Sequence, residues 1–90
     1  MTALDSEMLA TLVAKFLKRT KLTPAERREV LHVARGFASK DSARLERLPV
    51  EVIRTRRKLI YRKLRLSGAG ELVSGLLALS LAALSGNEEL

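Results

Sequence analysis

Apolar residues recur along this chain at the spacing of helices, and the sustained alternation typical of strands is missing. The N-terminal stretch is the clearest case, because two interleaved rows of apolar residues fall on one helical face. The rows consist of Leu4, Met8, Leu12 and Phe16 and of Leu9, Val13 and Leu17. The pattern predicts an amphipathic first helix over residues 4–19 and an all-α fold.

Local start and stop signals delimit a second helix. Thr23 and Glu26 have the spacing of a capping box, and Pro24 suits the first helical position. Gly36 follows the last apolar position and can adopt the left-handed conformation that ends a helix. We therefore expect a helix between Thr23 and Gly36.

Three more helices are predicted after Gly36. Ser39 is expected to cap a short helix over residues 40–47, Pro49 to open a helix that ends at Leu64, and a last helix to cover residues 71–84. Two short helices joined by tight turns to a longer basic one are typical of a helix-turn-helix. The predicted organisation is therefore an N-terminal helix over 1–21, a helix-turn-helix domain over 22–85 and a flexible tail over 86–90.

Composition narrows the class of partner. The 90 residues include 17 Lys or Arg against 10 Asp or Glu, a net charge of +7, which favours a polyanionic partner. Cysteine is absent, which excludes disulfides and thiolate metal sites and fits a reducing cytoplasm. The N-terminus lacks the early cations of a secretory signal, and the apolar stretch Leu72–Leu84 is shorter than the roughly 20 residues of a membrane span. We expect a cytoplasmic, nucleoid-associated protein.

The fourth predicted helix is strongly basic. Seven cations and no acid occur in the twelve residues from Arg54 to Arg65. Ile53, Ile60 and Leu64 are spaced by seven and four residues, so they define one buried face. The helix is thus expected to show a cationic side to solvent.

Three polar residues, Arg54, Thr55 and Lys58, fall opposite that buried face. Arg and Lys pair with the acceptors of guanine, and a Thr methyl can meet a thymine methyl, so this side is suited to the major groove. Neighbouring cations, Arg56 and Arg62 among them, are expected to contact phosphates. An ordinary solvated face is the alternative, but such faces usually intersperse Glu with the cations. Single-stranded RNA is disfavoured because the chain has only three aromatic residues.

Several segments together resemble the bacterial LuxR/GerE (NarL-type) helix-turn-helix domain, in register and without gaps over about residues 22–77. The segments are Leu22-Thr23-Pro24-Ala25-Glu26-Arg27, Gly36, Lys40, Glu51-Val52-Ile53-Arg54-Thr55-Arg56-Arg57-Lys58, Ile60-Tyr61-Arg62-Lys63-Leu64, Leu66-Ser67 and Glu71-Leu72-Val73. Each segment alone is common, whereas the combination is specific.

The resemblance implies a four-helix domain, preceded here by an extra N-terminal helix. It implies base-reading positions at Arg54, Thr55 and Lys58. It also implies phosphate-contacting positions, which are Ser39, Lys40, Arg57 and Arg65.

The chain departs from the family pattern at the helix before the basic one. Ser42 and Glu46 stand where large aliphatic residues are usual, so we expect that helix to pack weakly or to rotate toward Leu45 and Leu48. In the basic helix, Arg56 stands where the family commonly has a histidine. The following turn, usually Gly-containing, is Arg47-Leu48-Pro49.

The last helix is apolar on almost every side, so a second surface should cover it. A homodimer would do so and would place two basic helices about one DNA turn, roughly 34 Å, apart; a purely intramolecular core helix is the alternative. The expected interface residues are Leu72, Leu76, Leu77, Leu79 and Leu84. The N-terminal helix is expected to support the dimer or to dock another protein, RNA polymerase or a second regulator.

No catalytic pattern is present. The single histidine, His32, has no Cys or clustered carboxylates beside it in the sequence, so it is interpreted as a structural residue and not as a metal ligand. No phosphate-binding loop or nucleophile motif occurs, and we expect neither a cofactor nor enzyme activity.

The sequence is best interpreted as a transcription regulator that binds duplex DNA as a homodimer, with residues 49–64 in the major groove. A second hypothesis is a protein-interaction module, a co-regulator or antagonist that pairs with a larger regulator, which Ser42, Glu46 and the apolar terminal helices motivate. A membrane-surface role is disfavoured because cations and leucines occupy different helices.

Overall fold

Five helices and no strand make up residues 6–84, the part of the chain that this computed structural model describes. The predicted all-α class is therefore confirmed. The helices are α1 (Ser6–Phe16), α2 (Pro24–Ala34), α3 (Ser39–Glu46), α4 (Val50–Leu64) and α5 (Ala69–Leu84). The first is shorter than expected, because the chain turns directly after Phe16. The predicted tail, residues 86–90, lies outside the described residues, as does Leu4.

The start of α2 is the one that the local sequence predicts. Thr23 Oγ1 accepts a hydrogen bond from the Glu26 backbone N–H at 3.1 Å, and Glu26 Oε1 accepts one from the Thr23 N–H at 2.8 Å. This reciprocal capping box satisfies two backbone donors that the first turn leaves free. At the other end Gly36 has φ 84°, so the glycine provides the left-handed residue that was expected.

The start of α3 differs from the prediction. Its N-cap is Ala38, and Ser39 is already the first helical residue. The Asp41 carboxylate accepts a hydrogen bond from the Ala38 N–H at 2.9 Å. Because this half of a capping box needs no side-chain oxygen at the cap, the alanine is tolerated there.

The turn between α3 and α4 contains a left-handed arginine. Arg47 has φ 56° and ψ 46°, and the Leu48 N–H donates to the Ala43 carbonyl at 3.0 Å, which closes the end of α3. Pro49 then caps α4 with φ −60°. A non-glycine residue in this conformation costs roughly 1–2 kcal/mol, so the surrounding contacts must hold the turn.

The apolar core lies among α1, α2, α5 and the C-terminal half of α4. Its buried members are Val13, Leu17, Leu22, Val30, Val33, Ile60, Leu72 and Leu76. Two residues predicted at a dimer interface, Leu72 and Leu76, therefore fill the chain's own core, since α5 must bury one face against α1 and α2 before it can offer another. The helix α3 contributes no residue to this cluster.

Between residues 6 and 84 no single helix combines the length and the apolar composition needed to cross a membrane. The helices α4 and α5 pass that test together, across a bend of 54°.

Candidate nucleic-acid interface

The outer side of α4 carries the three residues predicted to read bases. Ile53 and Ile60 are 0% and 1% exposed, which fixes the inner side of the helix. Arg54, Thr55 and Lys58 are all exposed on the opposite side. The helical period thus places the three polar side chains where a duplex could reach them.

An acidic residue shares this outer side, which the sequence reasoning missed. Glu51, one turn before Arg54, accepts a hydrogen bond from the Arg54 guanidinium. Both side chains are more than half exposed, so the pair contributes little to stability. A base or phosphate that takes the Arg54 guanidinium must displace this carboxylate.

Four of the predicted phosphate contacts lie at the surface or near it. Lys40, Arg62 and Arg65 are exposed, and Ser39 is half-buried at the first position of α3. Within residues 6–84 none of the three cations forms an ion pair. These charges are therefore free to meet an anion.

The other two predicted phosphate contacts point inward. Arg57 donates from Nε to Glu29 Oε2 and from Nη2 to the Phe37 carbonyl, each at 2.7 Å, and its side chain is 13% exposed. Arg56 donates to Glu46 Oε1 at 3.0 Å. The expectation that both reach phosphates is corrected here, because a buried carboxylate must be paired and these arginines supply the charge.

A polar network, rather than apolar packing, joins α2 to α3. Glu29 and Ser42 are both fully buried, and the Ser42 hydroxyl donates to Glu29 Oε2 at 2.8 Å. His32 Nδ1 lies 3.2 Å from Glu29 Oε1, and its ring stacks on Phe37 at a centroid distance of 5.3 Å. Glu29, Ser42 and His32 are all hydrogen-bonded, which is the condition under which buried polar groups are tolerated. The neighbouring Glu46 is bonded through Oε1 only, and its buried Oε2 has no hydrogen-bond partner among the described residues.

The helix α3 has not rotated toward its leucines. Leu45 is 61% exposed and Leu48 only half-buried, whereas Ser42 and Glu46 face inward. The expectation of packing through the leucines is wrong, because Arg56 and Glu29, on the neighbouring helices, offer partners for these two polar side chains. We name the group Glu29, His32, Ser42, Glu46, Arg56 and Arg57 the inner polar network.

Arginines hold the Glu46 carboxylate in its charged form. Burial by itself raises the pKa of Glu46, but hydrogen bonds from Arg56 and Arg28 outweigh it and leave the pKa below the ordinary value. Glu26 behaves in the same way: burial raises its pKa, and the bonds from Lys63 and Thr23 lower it further than burial raises it. Both groups therefore stay ionised at neutral pH and keep their cationic partners.

One part of the network has the donor set of a cation site. Ligand atoms of Glu29, His32 and Glu46 lie within 4.8 Å of one another. Arg57 and Arg56, however, already neutralise the two carboxylates at 2.7 and 3.0 Å. The arrangement is that of an ion-pair network, and a divalent cation would add charge to a group that is balanced without it.

The comparisons with known proteins add no family to this picture. No protein-family model, no curated protein and no solved structure matches the chain.

Proposed function

We propose that this protein is a transcription regulator that binds duplex DNA, with α3 and α4 acting as a helix-turn-helix of the LuxR/GerE type. The observation that carries the proposal is the outer side of α4, where Arg54, Thr55 and Lys58 are exposed while Ile53 and Ile60 anchor the helix. A helix fixed on one side and polar on the other can enter the major groove without rearrangement of the core.

Base recognition follows from the chemistry of those side chains. The guanidinium of Arg54 can donate to O6 and N7 of guanine, Lys58 can donate to the same acceptors, and the Thr55 methyl can contact a thymine methyl. Lys40, near the start of α3, and Arg62, in the last turn of α4, supply phosphate contacts, which set the position of α4 along the groove. The net charge of +7 adds a general attraction to the duplex.

Binding to random duplex DNA at several salt concentrations tests this proposal. Because each neutralised phosphate contributes about −0.9 to the slope of log K against log salt, contacts from Lys40, Arg62 and Arg65 predict a slope of about −3 or steeper. Selection of bound sequences from a random pool then tests base recognition. No binding at about 50 mM salt would exclude the proposal.

A homodimer through α5 forms part of the same proposal. Val73, Leu77 and Leu81 are 46%, 58% and 56% exposed and follow one another at intervals of four residues, so they form an apolar stripe along α5. A second copy can cover the stripe with its own, which is the self-complementary contact of a twofold dimer. This stripe replaces Leu72 and Leu76 as the expected interface; Leu79 is half-buried, and the side chain of Leu84 lies outside the described residues.

Placing a charge in the stripe should separate the dimer. Leu77→Glu is expected to raise the dimer dissociation constant by more than about thirtyfold, since a central interface residue is worth 2 kcal/mol or more. Ala78→Glu is the matched control, because Ala78 is exposed on the same helix but outside the stripe. Sedimentation equilibrium measures both variants, and equal dimerisation by the two would contradict the assignment.

A protein-interaction module is the second candidate, and the same region of the surface favours it. A groove beside the stripe is formed by residues of α1, α2 and α5, namely Leu9, Leu12, Ala34, Val73, Leu76, Leu77 and Ser80. An amphipathic helix of another protein could occupy it. A monomer that fails to bind duplex DNA in the salt titration would support this candidate over the first.

A further inference from the structure

A second group of cations lies away from the outer side of α4. The loop after α1 and the C-terminal end of α4 face each other across an open cleft, and none of the described residues that line it is acidic. The lining residues are Arg19, Thr20, Lys21, Lys63, Leu64 and Arg65. We name this feature the basic cleft.

Hydrogen bonds to α2 hold the two walls of the basic cleft in place relative to each other. Lys63 Nζ lies 2.8 and 3.0 Å from the two carboxylate oxygens of Glu26, which joins the end of α4 to the start of α2. The guanidinium of Arg27 organises the opposite wall by donating to three carbonyl oxygens of the loop. Its acceptors are Leu17, Thr20 and Leu22, at 3.4, 3.3 and 3.3 Å.

Three cations of the cleft are not used by these bonds. Arg19, Lys21 and Arg65 are exposed, and within residues 6–84 none of them forms an ion pair. Cations held together without a neutralising acid repel one another and produce a positive potential, which a bound anion relieves. The fold has thus assembled a positively charged surface from two segments 40 or more residues apart in the sequence.

We propose that the basic cleft binds a phosphodiester group of the duplex that α4 reads. This inference rests on the proposed function. Arg65 lies seven residues beyond Lys58, which is about 10 Å along a helix. The major groove is about 12 Å wide, so a residue this far from Lys58 can reach the phosphates that border the groove when α4 lies in it. The loop of Arg19 and Lys21 lies next to Arg65.

A phosphate of the same duplex suits the cleft better than a free anion does. The cleft is open to water and its cations are exposed, so a single small anion would be held weakly against competing salt. When α4 holds the duplex, the effective concentration of a neighbouring phosphate at the cleft is high. The cleft therefore needs only a weak intrinsic affinity for that phosphate. The loop after α1 thereby extends the contact with DNA beyond the outer side of α4.

The double variant Arg19→Gln/Lys21→Gln tests the inference on the full chain. Its slope of log K against log salt should be shallower than that of the unmodified protein by about 0.9, the value for one phosphate. The matched control is Arg35→Gln/Arg44→Gln, which removes the same charge from exposed residues outside the cleft and outside the loop after α1 and should leave the slope unchanged. Circular dichroism checks that both variants are folded.

The length of the duplex gives a second measurement. Shortening the duplex at the end next to the basic cleft removes the phosphate that the cleft is proposed to bind. The salt slopes of the cleft variant and of the unmodified protein should then be equal. Equal slopes for the cleft variant and its control on a long duplex would overturn the inference while leaving the proposed function intact. Failure of the unmodified protein to bind any duplex would overturn both.

Discussion

Replacing Glu29 with alanine is expected to lower the free energy of unfolding by about 3–5 kcal/mol, the cost of removing one partner from a buried ion pair. The Glu29 carboxylate is fully buried and accepts hydrogen bonds from Arg57 Nε at 2.7 Å and from Ser42 Oγ at 2.8 Å. Without it the Arg57 guanidinium, whose side chain is 13% exposed, keeps its charge but loses its counter-ion. For a domain of this size the loss is a large part of the total stability.

Urea unfolding followed by circular dichroism measures this effect, and two variants serve as controls. Glu51→Ala removes an exposed carboxylate from its pair with Arg54 and should cost less than about 1 kcal/mol. Glu29→Met/Arg57→Met removes both charges at once and should recover part of the loss, because apolar residues of similar volume can replace a buried pair, whereas the Ser42 hydroxyl and the Phe37 carbonyl lose their partners. A loss below about 1 kcal/mol for Glu29→Ala would show that the inner polar network does not hold the helices together.

Arg54→Ala is expected to weaken binding to the selected DNA site by about 1–3 kcal/mol, or roughly 5- to 150-fold, and to relax the preference at one base pair. The exposed guanidinium of Arg54 needs only to exchange its Glu51 partner for a guanine. The affinity for unrelated sequences should fall much less, because base contacts matter only at the cognate site. Titration against the site and its single-base variants measures both effects.

The variant Lys40→Ala serves as the comparison for Arg54→Ala in the same binding titration. Lys40 is exposed near the start of α3 and is assigned to a phosphate, so its loss should weaken all sequences alike and make the salt slope shallower by about 0.9. The two variants thus separate base reading from backbone contact. If Arg54→Ala left the site preference unchanged, Arg54 would be removed from the base-reading set.

The inner polar network has a consequence for the proposed function. The only buried apolar residue of α3 is Ala43, so the helix is held mainly through Ser42 and Glu46 and their charged partners. The position of α3 beside α4 therefore depends on the network, and a variant that breaks it should lose DNA binding together with stability. In the proposed complex Arg57 and Arg56 would support the position of α3 and α4 through Glu29 and Glu46.

Local signals in the sequence predicted much of the fold. The capping box of Thr23 and Glu26, the glycine at position 36 and the spacing of Ile53 and Ile60 each act within one or two turns of helix. Interactions of that range depend on neighbouring residues alone, so periodicity and capping rules suffice to find them. The exposed side of α4, with Arg54 and Lys58, followed from the same reasoning.

Only the tertiary structure decided which cations and which leucines are free. Arg57 meets Glu29 across 28 residues, and Arg56 meets Glu46 across 10, so nothing near either arginine in the sequence shows that its charge is already used. Leu72 and Leu77 look alike along α5, yet packing against α1 and α2 buries the first and leaves the second 58% exposed. The sequence determined the helices and their faces because those depend on local geometry; the partners of each face were decided by contacts between residues far apart in the chain.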